Sequence, residues 1–146
     1  NHESPLRGTE FVTRKITYNL ALIKHGKIKK FSLGNIKAKR DWGFAEDYVE
    51  AMWLMLQQKE PDNYVVATGE SHSVEEFLTL AVEYAEMGDW HDFVEISKKD
   101  MRPTDIDELI GNASKAKEKL NWKPKTSFKE LVKVMIDHDM DYFKLK

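Results

Sequence analysis

The sequence contains no cysteine, and this absence excludes several kinds of chemistry. Disulfide bonds, thiol nucleophiles and Cys-ligated zinc all need a sulfur that the chain does not have. The five histidines are scattered through the sequence without the spacing of metal ligands, so we expect no metal site. A chain without cysteine also fits a reducing compartment, and we expect a cytoplasmic protein.

Long apolar runs and an excess of one charge are missing as well. No stretch is long and apolar enough to span a bilayer, and no signal-peptide pattern is present. The net charge is only −2, so we expect neither a nucleic acid nor an anionic membrane as partner. The 146 residues suffice for one compact domain or a large piece of a bigger protein. The chain opens on Asn1 without a Met or a leader, and we expect it to be part of something longer.

Several catalytic and cofactor-binding motifs are also absent. No Gly-rich turn joins a strand to a helix, so the pyrophosphate-binding fingerprint of dinucleotide domains is missing. A Gly-x-Ser-x-Gly elbow, a His-Glu-x-x-His helix and a Walker motif are likewise not found. None of these motifs therefore offers a catalytic site in this chain.

The elements that are present alternate between helices and short strands. Apolar periodicity and capping signals predict helices over about 11–26, 45–58, 73–88, 113–120 and from 127 onward. Short β-rich runs predict strands over 29–33, 64–67 and 93–96. This order indicates an α/β fold. Because the strands are few for a self-sufficient sheet, a truncated α/β unit fits best.

Two basic loops are the candidate binding sites. The first, 37–43, contains Arg40 next to Asp41 and Trp42, and the second contains Arg102 ahead of Asp105. Arginine offers a planar fork that binds phosphate through two hydrogen bonds. The first loop could instead be a solvated surface whose Trp fills the core, and the second a local Arg–Asp ion pair of little energetic weight. The pair at 14–15 on the first helix could face a ligand or solvent.

Several motifs, read in order, carry a family resemblance. The chain contains Asn-His-Glu-Ser-Pro, Phe-Val-Thr-Arg-Lys-Ile, Ala-Lys-Arg-Asp-Trp-Gly, Asp-Tyr-Val-Glu-Ala-Met-Trp and Asn-Trp-Lys-Pro. In this succession it resembles the GDP-mannose 4,6-dehydratases, which are extended short-chain dehydrogenase/reductases, over essentially its whole length. The resemblance implies the C-terminal portion of that NAD(P)-binding Rossmann-like fold, mainly its smaller substrate-binding domain. Residues 1–146 would then be the nucleotide-sugar-binding portion, with the N-terminal dinucleotide-binding domain absent.

The resemblance also implies an activity for the whole enzyme. Such lyases convert GDP-mannose to GDP-4-keto-6-deoxymannose, towards GDP-fucose or other GDP-deoxysugars. A hydride passes from C4 to NADP, water is eliminated across C5–C6, and the hydride returns to C6. The family's catalytic residues lie upstream, so we expect the chain alone to be inactive. The resemblance also implies that the intact enzyme is a homo-oligomer. The alternatives are a noncatalytic nucleotide-sugar-binding module and an enzyme for a different sugar nucleotide.

Two sets of binding residues follow from the resemblance. His2 and Arg7 are expected to contact NADP. The substrate set comprises Asn1, Val12, Lys15, Arg40, Arg102 and Asp105. In this set Val12 and Lys15 would contact guanine, and the two arginines would hold the diphosphate. Asn1 would bind the diphosphate-sugar region, and Asp105 would accept hydrogen bonds from the ribose hydroxyls.

Overall fold

The structure is a computed structural model that describes residues 1–101 and 103–144. Its helices are α1 (Val12–Lys24), α2 (Ala45–Leu56), α3 (Val74–Tyr84), α4 (Ser114–Leu120) and α5 (Phe128–Lys144). Its strands are β1 (His2–Glu3), β2 (Phe31–Leu33), β3 (Lys39–Arg40), β4 (Gly43–Phe44), β5 (His72–Ser73), β6 (Val94–Ile96) and β7 (Glu108–Leu109). The mixed α/β order agrees with the prediction from the sequence.

Helices α1, α3 and α5 form the main core. Each presents apolar residues three and four positions apart, which places them on one face of the helix. Helix α5 packs against both α1 and α3, and these faces meet. The fully buried apolar residues of these helices include Ile16, Leu20, Phe77, Leu78, Ala81, Val132, Met135 and Ile136.

Two capping boxes are present, and they begin the core helices α3 and α5. At α3 the Ser73 hydroxyl accepts from the amide of Glu76 (3.0 Å), and the Glu76 carboxylate accepts from the amide of Ser73 (2.6 Å). The same exchange joins Ser127 and Glu130 ahead of α5, at 3.3 and 2.8 Å. Each cap satisfies backbone donors that a helix leaves unpaired, which is worth about 1 kcal/mol.

The strands form three small sheets that fix the loops between the helices. Strand β1 pairs in parallel with β4, and β2 pairs in parallel with β6. Strand β3 lies in the middle of a three-stranded sheet, antiparallel to β5 and parallel to β7. Because β3 has a neighbour on each side, the backbone that carries Arg40 is held in place.

The predicted strand at 64–67 is not formed. This segment pairs with no other strand in the described part of the chain, and the Val65 side chain is 54% exposed. A β-rich sequence becomes a strand only where a second strand edge offers hydrogen-bond partners. The other predicted elements differ from the structure only in their ends, as at α3, which stops at Tyr84 rather than near Gly88.

Helix α2 carries an apolar stripe that faces outward. Val49, Met52, Trp53 and Leu56 are spaced as one helix face, and each is more than half exposed. The opposite side of α2 buries Tyr48 and Ala51. No described part of the chain covers this stripe.

Candidate functional site

A cavity of about 280 Å³ lies between the start of α1, the loop after β2, strand β3 and the segment that follows β6. It brings together four residues predicted to bind substrate: Val12, Lys15, Arg40 and Asp105. Its other lining residues are Glu10, Leu33, Gly34, Asn35, Ala38, Val74 and Asp100. Residues from four separate segments thus converge on one concave, mostly polar site.

Arg40 is held at this cavity by a carboxylate and by backbone carbonyls. Its Nη2 donates to Oδ1 of Asp105 (2.7 Å), and its Nη1 donates to the carbonyls of Lys39 and Ile106 (both 2.7 Å). The second oxygen of Asp105 accepts from the side-chain amide of Asn35 (3.1 Å). These contacts fix the guanidinium before any ligand arrives. Asp105 thereby positions Arg40, a role that the sequence reasoning did not assign to it.

Lys15 reaches the same cavity from α1. Its Nζ lies 3.3 Å from Oδ1 of Asp100, and both side chains are about 30% exposed. Hydrogen bonds from the Ser32 hydroxyl and from Lys15 lower the pKa of Asp100 below its ordinary value. Asp100 is therefore an ionised hydrogen-bond acceptor at neutral pH, next to a cationic donor.

The turn that carries Asp100 closes one side of the cavity. Residues Lys98–Asp100 form a single turn of 3₁₀ helix, and the amide of Ser97 donates to the carbonyl of Leu33 (2.8 Å). A side chain on Gly34 would overlap the Asp100 carbonyl. Glycine at position 34 thus allows this turn to approach the end of β2 closely.

The charges that line the cavity have both signs. Among the described residues, Lys15 and Arg40 stand beside Glu10, Asp100 and Asp105. Such a lining offers both donors and acceptors, as a ligand with an anionic part and a hydrogen-bonding ring requires. Arg102, the second predicted phosphate contact, lies outside the described residues.

The other predicted site residues lie along the opening segment and not in the lining of this cavity. The backbone carbonyl of Asn1 accepts from the amide of Gly43 (3.0 Å), and the His2 ring lies 5.5 Å from the ring of Tyr48. Arg7 Nε lies 3.3 Å from the carboxylate of Glu3. The structure thus separates the residues predicted to contact NADP from four of those predicted to bind the substrate.

Arg14 faces neither a ligand nor solvent, unlike its neighbour Lys15. Its Nε donates to both oxygens of Asp139 (3.0 and 2.9 Å), and its Nη2 lies 2.8 Å from Oδ1. The Thr17 hydroxyl donates to the same carboxylate (2.6 Å). Trp42 is also structural, because its ring packs against Phe77 and Phe128 in the core. The first basic loop therefore combines both readings: its Trp fills the core and its Arg reaches the cavity.

Asp41 is a buried carboxylate that the sequence analysis did not single out. It accepts from the amide and hydroxyl of Thr68 (2.8 and 2.6 Å) and from the amides of Gly69 (2.9 Å) and Gly111 (3.1 Å). Burial raises the pKa of Asp41, but these hydrogen bonds outweigh it, so the pKa lies below the ordinary value. Asp41 ties β3 to two distant loops next to Arg40.

Glu3 and Tyr48 form a second buried polar group, near β1. The Thr13 hydroxyl donates to Glu3 (2.6 Å), yet burial still raises the pKa of this carboxyl. The Tyr48 hydroxyl is buried and has no hydrogen-bond partner among the described residues. Burial, and then the nearby carboxylates, raise its pKa above the ordinary value. These groups support the segment that carries His2 and Arg7.

Sequence comparisons point to one family. A sequence profile described as GDP-mannose 4,6 dehydratase matches residues 1–135. The chain is 61% identical over 144 residues to GDP-mannose 4,6 dehydratase 1 of Arabidopsis thaliana, covering 99% of this chain and 40% of that protein. It is 48% identical over 159 residues to the human GDP-mannose 4,6 dehydratase, covering 97% and 42% respectively. The chain thus spans about 40% of the length of these relatives.

Comparisons with solved structures confirm the predicted fold class. The RMD protein of Pseudomonas aeruginosa, solved with NADPH, matches 97% of this chain and 46% of its own, with a TM-score of 0.86 at 21% identity. The dTDP-glucose 4,6-dehydratase of Bacillus anthracis, solved with NAD, matches 99% and 43%, with a TM-score of 0.82 at 17% identity. The fold is that of a portion of an extended short-chain dehydrogenase/reductase. In the described part of the chain, none of the helices has the length and apolar character that a membrane crossing needs.

Proposed function

The chain belongs to the GDP-mannose 4,6-dehydratase family, and we propose that it forms the GDP-mannose-binding part of such an enzyme. The whole enzyme would be an NADP-dependent lyase that yields GDP-4-keto-6-deoxymannose. The chain would hold the nucleotide sugar, while the catalytic residues would come from the remainder of the protein. Positioning of this kind supplies a large share of an enzyme's rate enhancement.

The convergence of Val12, Lys15, Arg40 and Asp105 on one cavity carries this proposal. These residues come from α1, β3 and the segment before β7, so their meeting is a property of the fold. Arg40 would bind the diphosphate with its fork already aligned by Asp105. Val12 and Lys15 would contact guanine, and Asn1 and Arg102 would complete the diphosphate and sugar contacts.

NADP would be held mainly by the remainder of the enzyme, with His2 and Arg7 contributing from this chain. Arg7 suits a phosphate group, because its side chain keeps 27% of its surface exposed and its guanidinium stacks on the Phe11 ring at 3.5 Å. When bound, the nicotinamide supplies the hydride acceptor for C4 and the donor for C6. The chain's own contribution to that step is to orient the nucleotide sugar.

The outward stripe of α2 supports the proposal that this chain is one part of a longer enzyme. Val49, Met52, Trp53 and Leu56 form one exposed apolar face, and the unpaired β-rich segment 64–67 follows α2 in sequence. Apolar faces of this kind are usually covered, and an unpaired β-rich segment is completed by another strand. The occupant we propose is the remaining part of the same enzyme, which the relatives' greater length makes available. We further propose that the complete enzyme is a homo-oligomer. A cytoplasmic location is in line with the absence of cysteine.

The proposal is tested by comparing the chain alone with the complete enzyme. Turnover of GDP-mannose with NADP should be found only for the complete enzyme. The variant Trp53→Glu should weaken the assembly of separately produced halves, because it places a charge on the apolar face. Turnover by the chain alone, or a complete enzyme that binds no GDP-mannose, would overturn the proposal.

A further inference from the structure

We infer that Asp100 is a specificity-determining residue that reads the base of the nucleotide together with Lys15. The inference rests on the proposed function and deepens it. Asp100 does not belong to the predicted binding set; its assignment comes from the cavity geometry alone. The ligand group concerned is the hydrogen-bonding edge of guanine.

Lys15 and Asp100 present a donor and an acceptor side by side. Their nearest polar atoms lie 3.3 Å apart, and both side chains line the cavity. Lysine can only donate, and an ionised aspartate can only accept. The two atoms therefore form a directional pair that matches one order of groups along a base edge and opposes the reverse order.

Guanine carries the matching order. Its O6 accepts a hydrogen bond, and next to it N1–H and the N2 amino group donate. Lys15 would donate to O6 while Asp100 accepts from N1–H and N2. Adenine reverses this order, since its N6 amino group would meet the ammonium and its N1 lone pair would meet the carboxylate. Hypoxanthine keeps O6 and N1–H but lacks the N2 amino group, so it isolates a single contact.

The position of Asp100 is fixed from two sides. Its backbone packs on Gly34, where any side chain would collide with the Asp100 carbonyl. The Ser97 hydroxyl caps the turn by accepting from the amide of Lys99 (3.2 Å). The carboxylate thus stands on a braced turn at the cavity wall. Val12 lies in the same lining and offers an apolar surface for the ring.

The test measures Kd values of GDP, IDP and ADP for the complete enzyme and its variants by calorimetry. The wild type should bind GDP about tenfold more tightly than IDP, the scale for one hydrogen bond to a charged group. Asp100→Ala should bring the GDP-to-IDP ratio close to one and reduce the discrimination against ADP. Asp100→Asn has the same shape and keeps one acceptor oxygen. Its preference for GDP over IDP should lie between those of the wild type and Asp100→Ala.

Two different failures can be told apart. A wild type that binds none of these nucleotides removes the proposed function, and the inference with it. A wild type that prefers GDP, with an Asp100→Ala variant that keeps the full preference over IDP, overturns the inference alone. Asp92→Asn makes the same charge change at an exposed site outside the cavity and should leave the ratio at its wild-type value.

Discussion

Arg14 and Lys15 are neighbours of equal charge on α1, but their side chains point in different directions. Arg14 lies on the inner side of the helix, towards the core, and Lys15 lies on its outer side, towards the cavity. Arg14 points into the protein, where Asp139 receives it on both oxygens and is fully buried. Lys15 points into the cavity, where its contact with Asp100 is longer and leaves nearly a third of each side chain exposed. A buried charge with every bond made holds the fold together. A partly exposed charge with a single side-chain contact remains available to a ligand.

The strongest test of this comparison is to remove the buried carboxylate. Asp139→Ala leaves the Arg14 guanidinium and the Thr17 hydroxyl without their acceptor inside the protein. Breaking a buried ion pair from one side costs about 3–5 kcal/mol. We expect the free energy of unfolding in urea to fall by this amount.

Asp141→Ala is the matched control, since it lies on the same helix with an exposed partner, Lys144. It should leave the unfolding curve unchanged, as expected for a surface ion pair. Equal stability of the two variants would contradict the division between an inner and an outer side of the molecule.

The buried Arg14–Asp139 pair on the inner side is only partly predictable from the sequence. Asp139 follows Val132 by seven positions and Ile136 by three, so the helical repeat places it on the buried face of α5. Its partner Arg14 lies 125 residues away, and no local pattern joins the two. The periodicity thus indicates a buried acidic residue but not which basic residue pairs with it, because the pairing depends on how α1 and α5 pack.

The next largest effect is expected at Asp41, on the boundary between the two sides. Asp41→Ala would leave the amides of Thr68, Gly69 and Gly111 without their acceptor. Unsatisfied buried donors cost about 1–3 kcal/mol each, and with partial access of water we expect a loss of about 2–3 kcal/mol. The measurement is urea unfolding at neutral pH.

The pKa of Asp41 gives this prediction a pH dependence. Its folded-state pKa lies below the ordinary value of 3.8. Its contribution is therefore fully present above the unfolded pKa and is lost as the pH falls through the folded pKa. The stability difference between wild type and Asp41→Ala should shrink below about pH 4. A difference that stays constant between pH 7 and pH 3 would show that the charge of Asp41 carries none of the effect.

The cavity on the outer side is predictable from the sequence in its residue types but not in its ion pairs. The two basic loops stand out by composition, but only the family resemblance assigns Arg40 to a phosphate. Asp105 follows Arg40 by 65 positions, and Asp100 follows Lys15 by 85. Separations of this size carry no periodic signal, so the ion pairs that shape the cavity emerge only from the fold. The strand expected at 64–67 fails for a related reason: a strand needs a second strand edge, and no strand in the described part of the chain pairs with this segment.

Arg40 should affect the ligand more than the fold. Arg40→Ala removes a charged hydrogen-bond donor from the proposed diphosphate site, and GDP-mannose should bind about 10- to 100-fold more weakly to the complete enzyme. Lys39→Ala is the matched control, because the neighbouring Lys39 is half exposed and lies outside the cavity lining. An unchanged Kd for Arg40→Ala would make this arginine a structural link between β3 and Asp105.

The smallest effect on stability is expected at Lys15, and it completes the comparison with Arg14. Lys15→Met keeps the apolar stem of the side chain and removes only the ammonium group, which makes one partly exposed contact with Asp100. We therefore expect no measurable change in Tm, whereas Arg14→Met should lower Tm clearly because it strands Asp139 in the core. In the complete enzyme Lys15→Met should nevertheless weaken the preference for GDP over ADP, since the donor facing O6 is lost. The two adjacent cationic residues would then have distinct roles, Arg14 in stability and Lys15 in ligand recognition. If both variants lowered Tm equally and left the GDP-to-ADP ratio unchanged, Lys15 would belong to the structural side of α1.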